Sequence, residues 1–293
     1  MTIADRLEKK EIILLDGATG SELESRGVSV MLPLWSTIAL LTNEGRKILN
    51  DIHFEYAKSG ADIVTANTFR TNYRTLKKES MESQARNLTL EAVEIARRAI
   101  DRAGAGEQVS VAGSVAPAED CYHPEKVPPD IELRDDHRRH IDHLYEANVD
   151  CFLIETMNTL REALIAVEYA IQTELPVMVS FITQKDGKLL SGESLEESVY
   201  AVSLLQPAAI LLNCSDTGTI QENLTVVQKA TDLPIGAYAN ILPLQKSFPV
   251  LPPDAYAETV QQWLEQFKLT VIGGCCGTTP KHIARLNQMV GRN

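Results

Sequence analysis

Eight short apolar runs rich in β-branched residues recur along the chain, at residues 12–15, 62–66, 109–112, 150–154, 176–181, 208–212, 234–237 and 270–272. Between them lie stretches whose apolar residues fall at helical spacing, at 46–59, 83–103, 135–147, 159–173, 195–206, 219–231 and 254–267. Leu90, Val93, Ala96 and Ile100 illustrate that spacing, as do Leu164, Val167 and Ile171. Strands alternating with helices pair in parallel, because each crossover helix returns the chain to the same edge. Eight is the number that closes such a sheet on itself. The expected fold is therefore α/β, a single (β/α)8 barrel of the TIM type spanning residues 1–293. An open, doubly wound sheet is the alternative for the same pattern.

Length alone would also allow two ordinary domains, but no Pro/Gly/Ser-rich linker divides the chain and no short repeat is evident. The net charge of −12 argues against a nucleic-acid or anionic-membrane surface, which needs clustered cations. No apolar run approaches the ~20 residues of a membrane span, and the charged residues 1–11 lack the apolar core of a signal peptide. Five cysteines are too few for a disulfide framework and odd in number. A reducing cytoplasm is the expected setting.

In a barrel of this kind the active site lies at the C-terminal ends of the strands. There the sequence places Asp16-Gly17-Ala18-Thr19-Gly20, Asn67-Thr68-Phe69, Glu155-Thr156, Asn213-Cys214, Tyr238 with Asn240, and Gly273 to Gly277. Acidic, amide and thiol groups from distant parts of the chain would thus ring one mouth. The irregular residues 115–130 follow the third strand and are expected to lie over that mouth; a second irregular stretch, 240–253, follows the seventh.

Cys275 and Cys276 are adjacent, and Cys214 stands alone 61 positions earlier, each just after a strand. Neighbouring cysteines do not readily bridge each other. Three thiolates converging from two strand ends are a soft cage for Zn²⁺ with one coordination position left for a substrate sulfur. Two plainer readings stand beside this one. The trio could be core cysteines, or Cys275 and Cys276 could act as a redox pair. Cys151, inside a strand, reads as a small apolar filler, and Cys121 as a loop cysteine without comparable context. The run from Arg134 to His140, with His143, reads as a solvated helix face rather than a metal site.

The blocks Asp16 to Glu24, Asn213-Cys214 and Gly273-Gly274-Cys275-Cys276-Gly277-Thr278 resemble the hallmark blocks of the zinc-dependent homocysteine S-methyltransferase family. The likeness extends over essentially the whole chain. It implies a TIM-type barrel in which Cys214, Cys275 and Cys276 bind Zn²⁺ and activate the thiol of homocysteine for methylation to methionine. It also implies that Asp16 and Glu155 hold the substrate ammonium. The N–H groups of Gly17 and Ala18 are suited to the carboxylate, Asn67 and Thr68 to further polar contacts, and Phe69 to a wall that excludes water.

Two departures bear on the methyl donor. Ala18 stands where the family often has a second glycine. Thr156 follows Glu155 where the betaine-dependent branch has a tyrosine, which argues against betaine. At this length the additional domains of cobalamin-dependent methionine synthases are not expected, although Asn67-Thr68-Phe69 and Glu155-Thr156 are similar to their homocysteine-binding domain. Pro33-Leu34-Trp35-Ser36 is similar to stand-alone enzymes that use S-methylmethionine or S-adenosylmethionine. A sulfonium donor is therefore expected, with a methyl-corrinoid carrier protein as the rival and a thiol-binding zinc protein without turnover as the non-enzymatic alternative.

Overall fold

A computed structural model describes residues 2–242 and 250–291. Eight parallel strands form one sheet: β1 (Ile13–Leu14), β2 (Ile63–Ala66), β3 (Ser110–Val115), β4 (Cys151–Met157), β5 (Val177–Phe181), β6 (Ala209–Asp216), β7 (Ile235–Asn240) and β8 (Val271–Ile272). Their order is β1-β8-β7-β6-β5-β4-β3-β2. An isolated parallel bridge between Leu15 and Ile63 joins the two ends, with Asp16 N–H donating to Ile63 O at 3.0 Å. The sheet is thus a barrel, and the open doubly wound alternative falls. All eight predicted runs coincide with barrel strands.

Helices α3 (Asn43–Lys58), α5 (Ala85–Arg102), α6 (Asp130–Glu146), α7 (Leu160–Ala170), α8 (Leu195–Ser203), α9 (Thr217–Ala230) and α10 (Pro253–Phe267) correspond to the predicted stretches, and α11 (Pro280–Met289) ends the chain's described part. Three short helices carry weak periodicity and were not expected: α1 (Ile3–Glu8), α2 (Thr19–Ser25) and α4 (Tyr73–Lys77). So was a small hairpin, Thr183–Gln184 with Lys188–Leu189. Among the described residues no helix is long and apolar enough to cross a membrane. Of the second irregular stretch, residues 243–249 lie outside the described residues.

Strand side chains alternate between two faces. Outward residues such as Leu14, Val64, Val111 and Ile154 pack under the helices in the larger apolar cluster. Inward residues form a separate filling of Ile13, Leu15, Ile63, Ala112, Leu153, Met178 and Leu211, with Ile3 and Leu7 of α1 joining it. Cys151 belongs to this filling and is fully buried, as the filler reading required. One step further along β2 to β7 the inward residue is polar: Thr65, Ser114, Glu155, Ser180, Asn213 and Tyr238. That polar layer is the floor of the site.

The histidine-rich run departs from expectation. Positions 133, 137, 140, 141 and 144 share one helical face, and α6 turns that face inward, burying His137 and His140. His137 Nε2 lies 2.9 Å from Glu162 Oε1, and His140 Nε2 lies 3.1 Å from Ser114 O. Arg134, Asp135, Arg138 and Arg139 lie on the solvated side. Local charge density concealed a face that packs inward, where burial lowers His140 to about 4.

Candidate metal centre and active site

Strands β4 and β6 break register before they end, between Ile154 and Met157 in one and between Asn213 and Asp216 in the other. At these breaks Thr156 and Cys214 take left-handed backbone angles, φ +62° and +50°. A β-branched residue in that region is a genuine outlier, and such strain persists only where surrounding contacts hold it. Asn213 supplies them: its Oδ1 accepts from Thr156 N–H at 3.1 Å and from Ser180 Oγ at 2.8 Å, while its Nδ2 donates to Thr156 Oγ1 at 2.8 Å. The break turns Cys214 Sγ out of the strand ladder and toward β8.

The Gly-rich run after β8 brings the other two thiols to meet it. Cys214 Sγ lies 2.7 Å from Cys275 Sγ, and the three sulfurs of Cys214, Cys275 and Cys276 all fall within 4.8 Å of one another. Among the described residues no other His, Cys, Asp or Glu side chain joins this cluster. Asn240 ties the two arms together, accepting from Cys276 N–H at 3.0 Å and donating to Cys214 O at 2.9 Å. Gly274 is required by close approach: a Cβ there would stand 2.3 Å from Thr278 Oγ1. Thr278 in turn donates to Cys275 O at 2.7 Å and accepts from Ala18 N–H at 3.1 Å. Sulfurs on a tetrahedral Zn²⁺, at about 2.3 Å each, lie roughly 3.8 Å apart, so this soft donor set fits such an ion after a small spreading of the Cys214–Cys275 pair. Hydrogen bonding among the thiols holds Cys276 below the usual thiol range and pushes Cys214 above it.

Asp16 and Glu155 sit beside the sulfurs in a cavity of about 300 Å³. Asp16 accepts from Thr65 N–H at 2.8 Å and Thr65 Oγ1 at 2.9 Å. Glu155 accepts from Ser114 Oγ at 2.5 Å and from Tyr238 OH at 3.3 Å. Burial raises both carboxyls, Asp16 to about 8 and Glu155 to about 7, against the lowering effect of those hydrogen bonds. Neither has an ion-pair partner among the described residues. Two desolvated carboxyls without a cation form a ready receptor for one.

The other predicted residues divide. Gly17, Ala18, Asn67 and Phe69 line the cavity. Asn67 Nδ2 donates to Ser36 O at 2.9 Å, and Phe69 packs edge-on against Trp35 at 5.2 Å. Thr68 is fully buried and does not line the cavity; its hydroxyl donates to Ser114 O and accepts from Ser114 N–H, stitching β2 to β3. The expected pair of free N–H groups is reduced to one, because Ala18 gives its own to Thr278. Sequence reasoning did not single out Ser114, whose signal was its inward position one step past Ala112, or Arg70, Asp120 and Tyr122, which also line the cavity. Cys121 lies in the loop after β3, buried against the same cavity, with its thiol pushed up to about 12 by desolvation.

The family profile described as homocysteine S-methyltransferase matches residues 13–290. Methionine synthase of Mycobacterium tuberculosis (strain ATCC 25618 / H37Rv) is 28% identical over 94% of this chain and 24% of its own length. That of Mycobacterium leprae (strain TN) is 27% identical over 97% and 24%. The chain therefore spans about a quarter of the length of these relatives. Among solved structures, the homocysteine methyltransferase MmuM from Escherichia coli in its metallated form is 26% identical, with a TM-score of 0.83 over 97% of this chain and 98% of that one. Its apo form gives 0.74 at 25% identity, over 97% of each chain. The carboxyl transferase domain of Rhizobium etli pyruvate carboxylase, 10% identical at a TM-score of 0.56, covers 98% of this chain and 48% of its own and shares the fold alone.

Proposed function

Because the chain belongs to the homocysteine S-methyltransferase family, we propose that it transfers a methyl group from a small sulfonium donor, S-methylmethionine or S-adenosylmethionine, to the thiol of homocysteine, giving methionine. We read residues 1–293 as one barrel domain for this reaction, working in the reducing cytoplasm, where unpaired cysteines persist. The observation that carries the proposal is the convergence of three sulfurs and two uncompensated carboxyls in one cavity. Homocysteine has the complementary ends, a thiol and an ammonium.

Cys214, Cys275 and Cys276 would hold Zn²⁺. When bound, the ion keeps a coordinated thiol deprotonated at neutral pH, where a free thiol is only a few per cent thiolate. The chain's own groups do the rest. Asp16 and Glu155 bind the ammonium, and its arrival favours their ionised forms, so the protons they hold in the empty cavity are released. Ser114, Thr65 and Tyr238 fix the two carboxyls in place by hydrogen bonds. Gly17, whose N–H has no protein acceptor among the described residues, would face the substrate carboxylate. Trp35 and Phe69 exclude water from the reacting sulfur, and their π faces suit a sulfonium cation.

A small donor is favoured because the loop after β3 contributes Asp120, Cys121 and Tyr122 to the cavity wall, which narrows the mouth. The structural match to a stand-alone methyltransferase covers nearly the full length of both chains. The rival donor, a methyl-corrinoid carrier protein, draws on the likeness to methionine synthases.

The deciding experiment is a donor panel with homocysteine, followed by mass detection of methionine, alongside zinc analysis of the purified protein. The expected result is methionine from a sulfonium donor and about one zinc per chain. Methionine only from a methyl-corrinoid protein would replace the donor. Homocysteine binding without methionine from any donor would leave a thiol-binding protein.

A further inference from the structure

Arg70 takes no part in the reaction as derived so far, yet it is a cation buried in the wall of that cavity, with 4% of its surface exposed. Its Nη1 donates to two main-chain carbonyls, Pro117 O at 3.2 Å and Glu119 O at 2.7 Å. Its Nε is buried with no hydrogen-bond partner, and no carboxylate pairs with it among the described residues. Glu119, Asp120 and Glu162 lie within its electrostatic reach, but among the described residues none of them hydrogen-bonds to it. Glu119 is held by Arg74 and Lys78. Glu162 accepts from Ala118 N–H and from His137 through Oε1, its Oε2 having no hydrogen-bond partner, and Asp120 accepts from Tyr122 N–H. A buried guanidinium left in this state is destabilising unless something supplies the missing anion.

The position of Arg70 says which anion. Asp16 and Glu155 are held by Thr65 and Ser114, which lie inside strands β2 and β3. The carbonyls that hold Arg70 lie in the loop beyond Val115, the last residue of β3. Arg70 therefore stands nearer the mouth than the ammonium receptor, with its guanidinium 5.1 Å from the Phe69 ring centre and Trp35 packed on that ring. In an amino acid the carboxylate and ammonium are carried on the same carbon, so the carboxylate of homocysteine stays in the lower layer. The molecule that occupies the upper layer is the donor.

We propose that Arg70 binds the α-carboxylate of the sulfonium donor and so sets the enzyme's preference for amino-acid donors over simple sulfonium compounds. This rests on the sulfonium-donor reading above. A planar guanidinium whose Nε has no hydrogen-bond partner among the described residues retains donors for the charge-assisted hydrogen bonds that a carboxylate accepts. Arg70 is a specificity residue and touches no reacting atom.

The test compares S-methylmethionine with its methyl ester, which lacks the anion, in the zinc-loaded wild type and in Arg70→Gln, Arg70→Lys and Glu119→Gln. Wild type should lose about 30-fold or more in kcat/KM on going to the ester, and Arg70→Gln no more than about 3-fold, as expected when a buried charge loses its partner. In Arg70→Gln the donor KM should rise while the homocysteine KM stays within about 2-fold. Arg70→Lys should discriminate at an intermediate level. Glu119→Gln, which loosens the same loop without touching the donor, should keep the wild-type ratio. Unchanged ester discrimination in Arg70→Gln would overturn the proposal. So would equal use of acid and ester by the wild type, which needs no variant to fold. A rise in homocysteine KM alone would also overturn it, by assigning Arg70 to the acceptor. Absence of turnover with every sulfonium donor in the wild type would instead remove the donor reading, and this assignment with it.

Discussion

Asn213 grips Thr156 with both ends of its amide, Oδ1 on the Thr156 N–H at 3.1 Å and Nδ2 on the Thr156 hydroxyl at 2.8 Å. The two residues come from strands that are not sequential in the barrel, and the contact holds a left-handed threonine beside a left-handed cysteine. Cys214 reaches the other two sulfurs only because its backbone is turned this way. Asn213 is therefore a positioning residue for the three-sulfur cluster.

Asn213→Ala should weaken zinc binding by roughly 10- to 100-fold, the usual effect of removing a group that orients a ligand. It should also cost about 1–3 kcal/mol of stability, since buried Thr156 and Ser180 groups lose their partner. Chelator competition and urea unfolding measure the two separately. Unchanged zinc affinity would show that Cys214 does not need this support.

Cys276→Ser should lose most of its zinc and nearly all methyl transfer, because a serine hydroxyl is a poor match for a soft thiolate position. Cys151→Ser, in the barrel filling, should keep the metal and show only a stability cost. Cys121→Ser should also keep its zinc. Metal analysis of all three variants with a turnover assay decides this, and full activity in zinc-free Cys276→Ser would end the metal mechanism.

Gly274→Ala tests the close approach of the sulfur-bearing turn. Its Cβ would meet Thr278 Oγ1 at 2.3 Å, and the backbone on that side is fixed by Gly274 N–H donating to Asp16 O at 3.1 Å. Displacing Thr278 frees both the Cys275 carbonyl and the Ala18 N–H that it holds. A loss of about 1–3 kcal/mol is expected from overpacking, together with weaker zinc binding. Gly274→Ala with wild-type melting and metal content would show that the turn has room to move.

Protonation of Asp16 predicts an unusual pH dependence. An unfolded aspartate ionises near about 3.9, whereas burial holds Asp16 protonated in the fold until about pH 8. Between those values the folded state binds the extra proton, so stability falls as pH rises through that window. Glu155, raised to about 7, acts in the same direction. Asp16→Asn is neutral in both states. Without homocysteine, the variant should gain on wild type by on the order of 2 kcal/mol between pH 5 and pH 7, while losing homocysteine turnover. Urea unfolding at the two pH values is the check; a parallel pH profile in variant and wild type would mean that Asp16 is ionised in the empty cavity.

Much of this molecule was readable from local pattern. Each barrel strand carries its own β-branched run, and each large helix its own amphipathic face, so their burial is encoded segment by segment. The thiols and carboxyls were readable for a related reason: they follow directly on those strands, and parallel strands in a closed barrel deliver their ends to one rim. The departures share the opposite character. Thr68 and Ala18 looked available for a ligand because their partners, Ser114 and Thr278, lie 46 and 260 positions away. His137 and His140 looked solvated because their neighbours are charged, while the face they share is buried by a helix from elsewhere in the chain.

By itself the sequence determined the alternating strands and helices and the chemical kinds of group at the strand ends, since apolar periodicity and strand-end position are properties of short segments, while closure of the sheet rests on the Leu15–Ile63 bridge. Tertiary structure alone decided which of those groups are free to meet a ligand. A hydrogen bond spent on a distant residue, a backbone forced left-handed by a neighbouring strand, and a guanidinium buried without an anion all arise from packing. No window along the chain contains both partners of any of them.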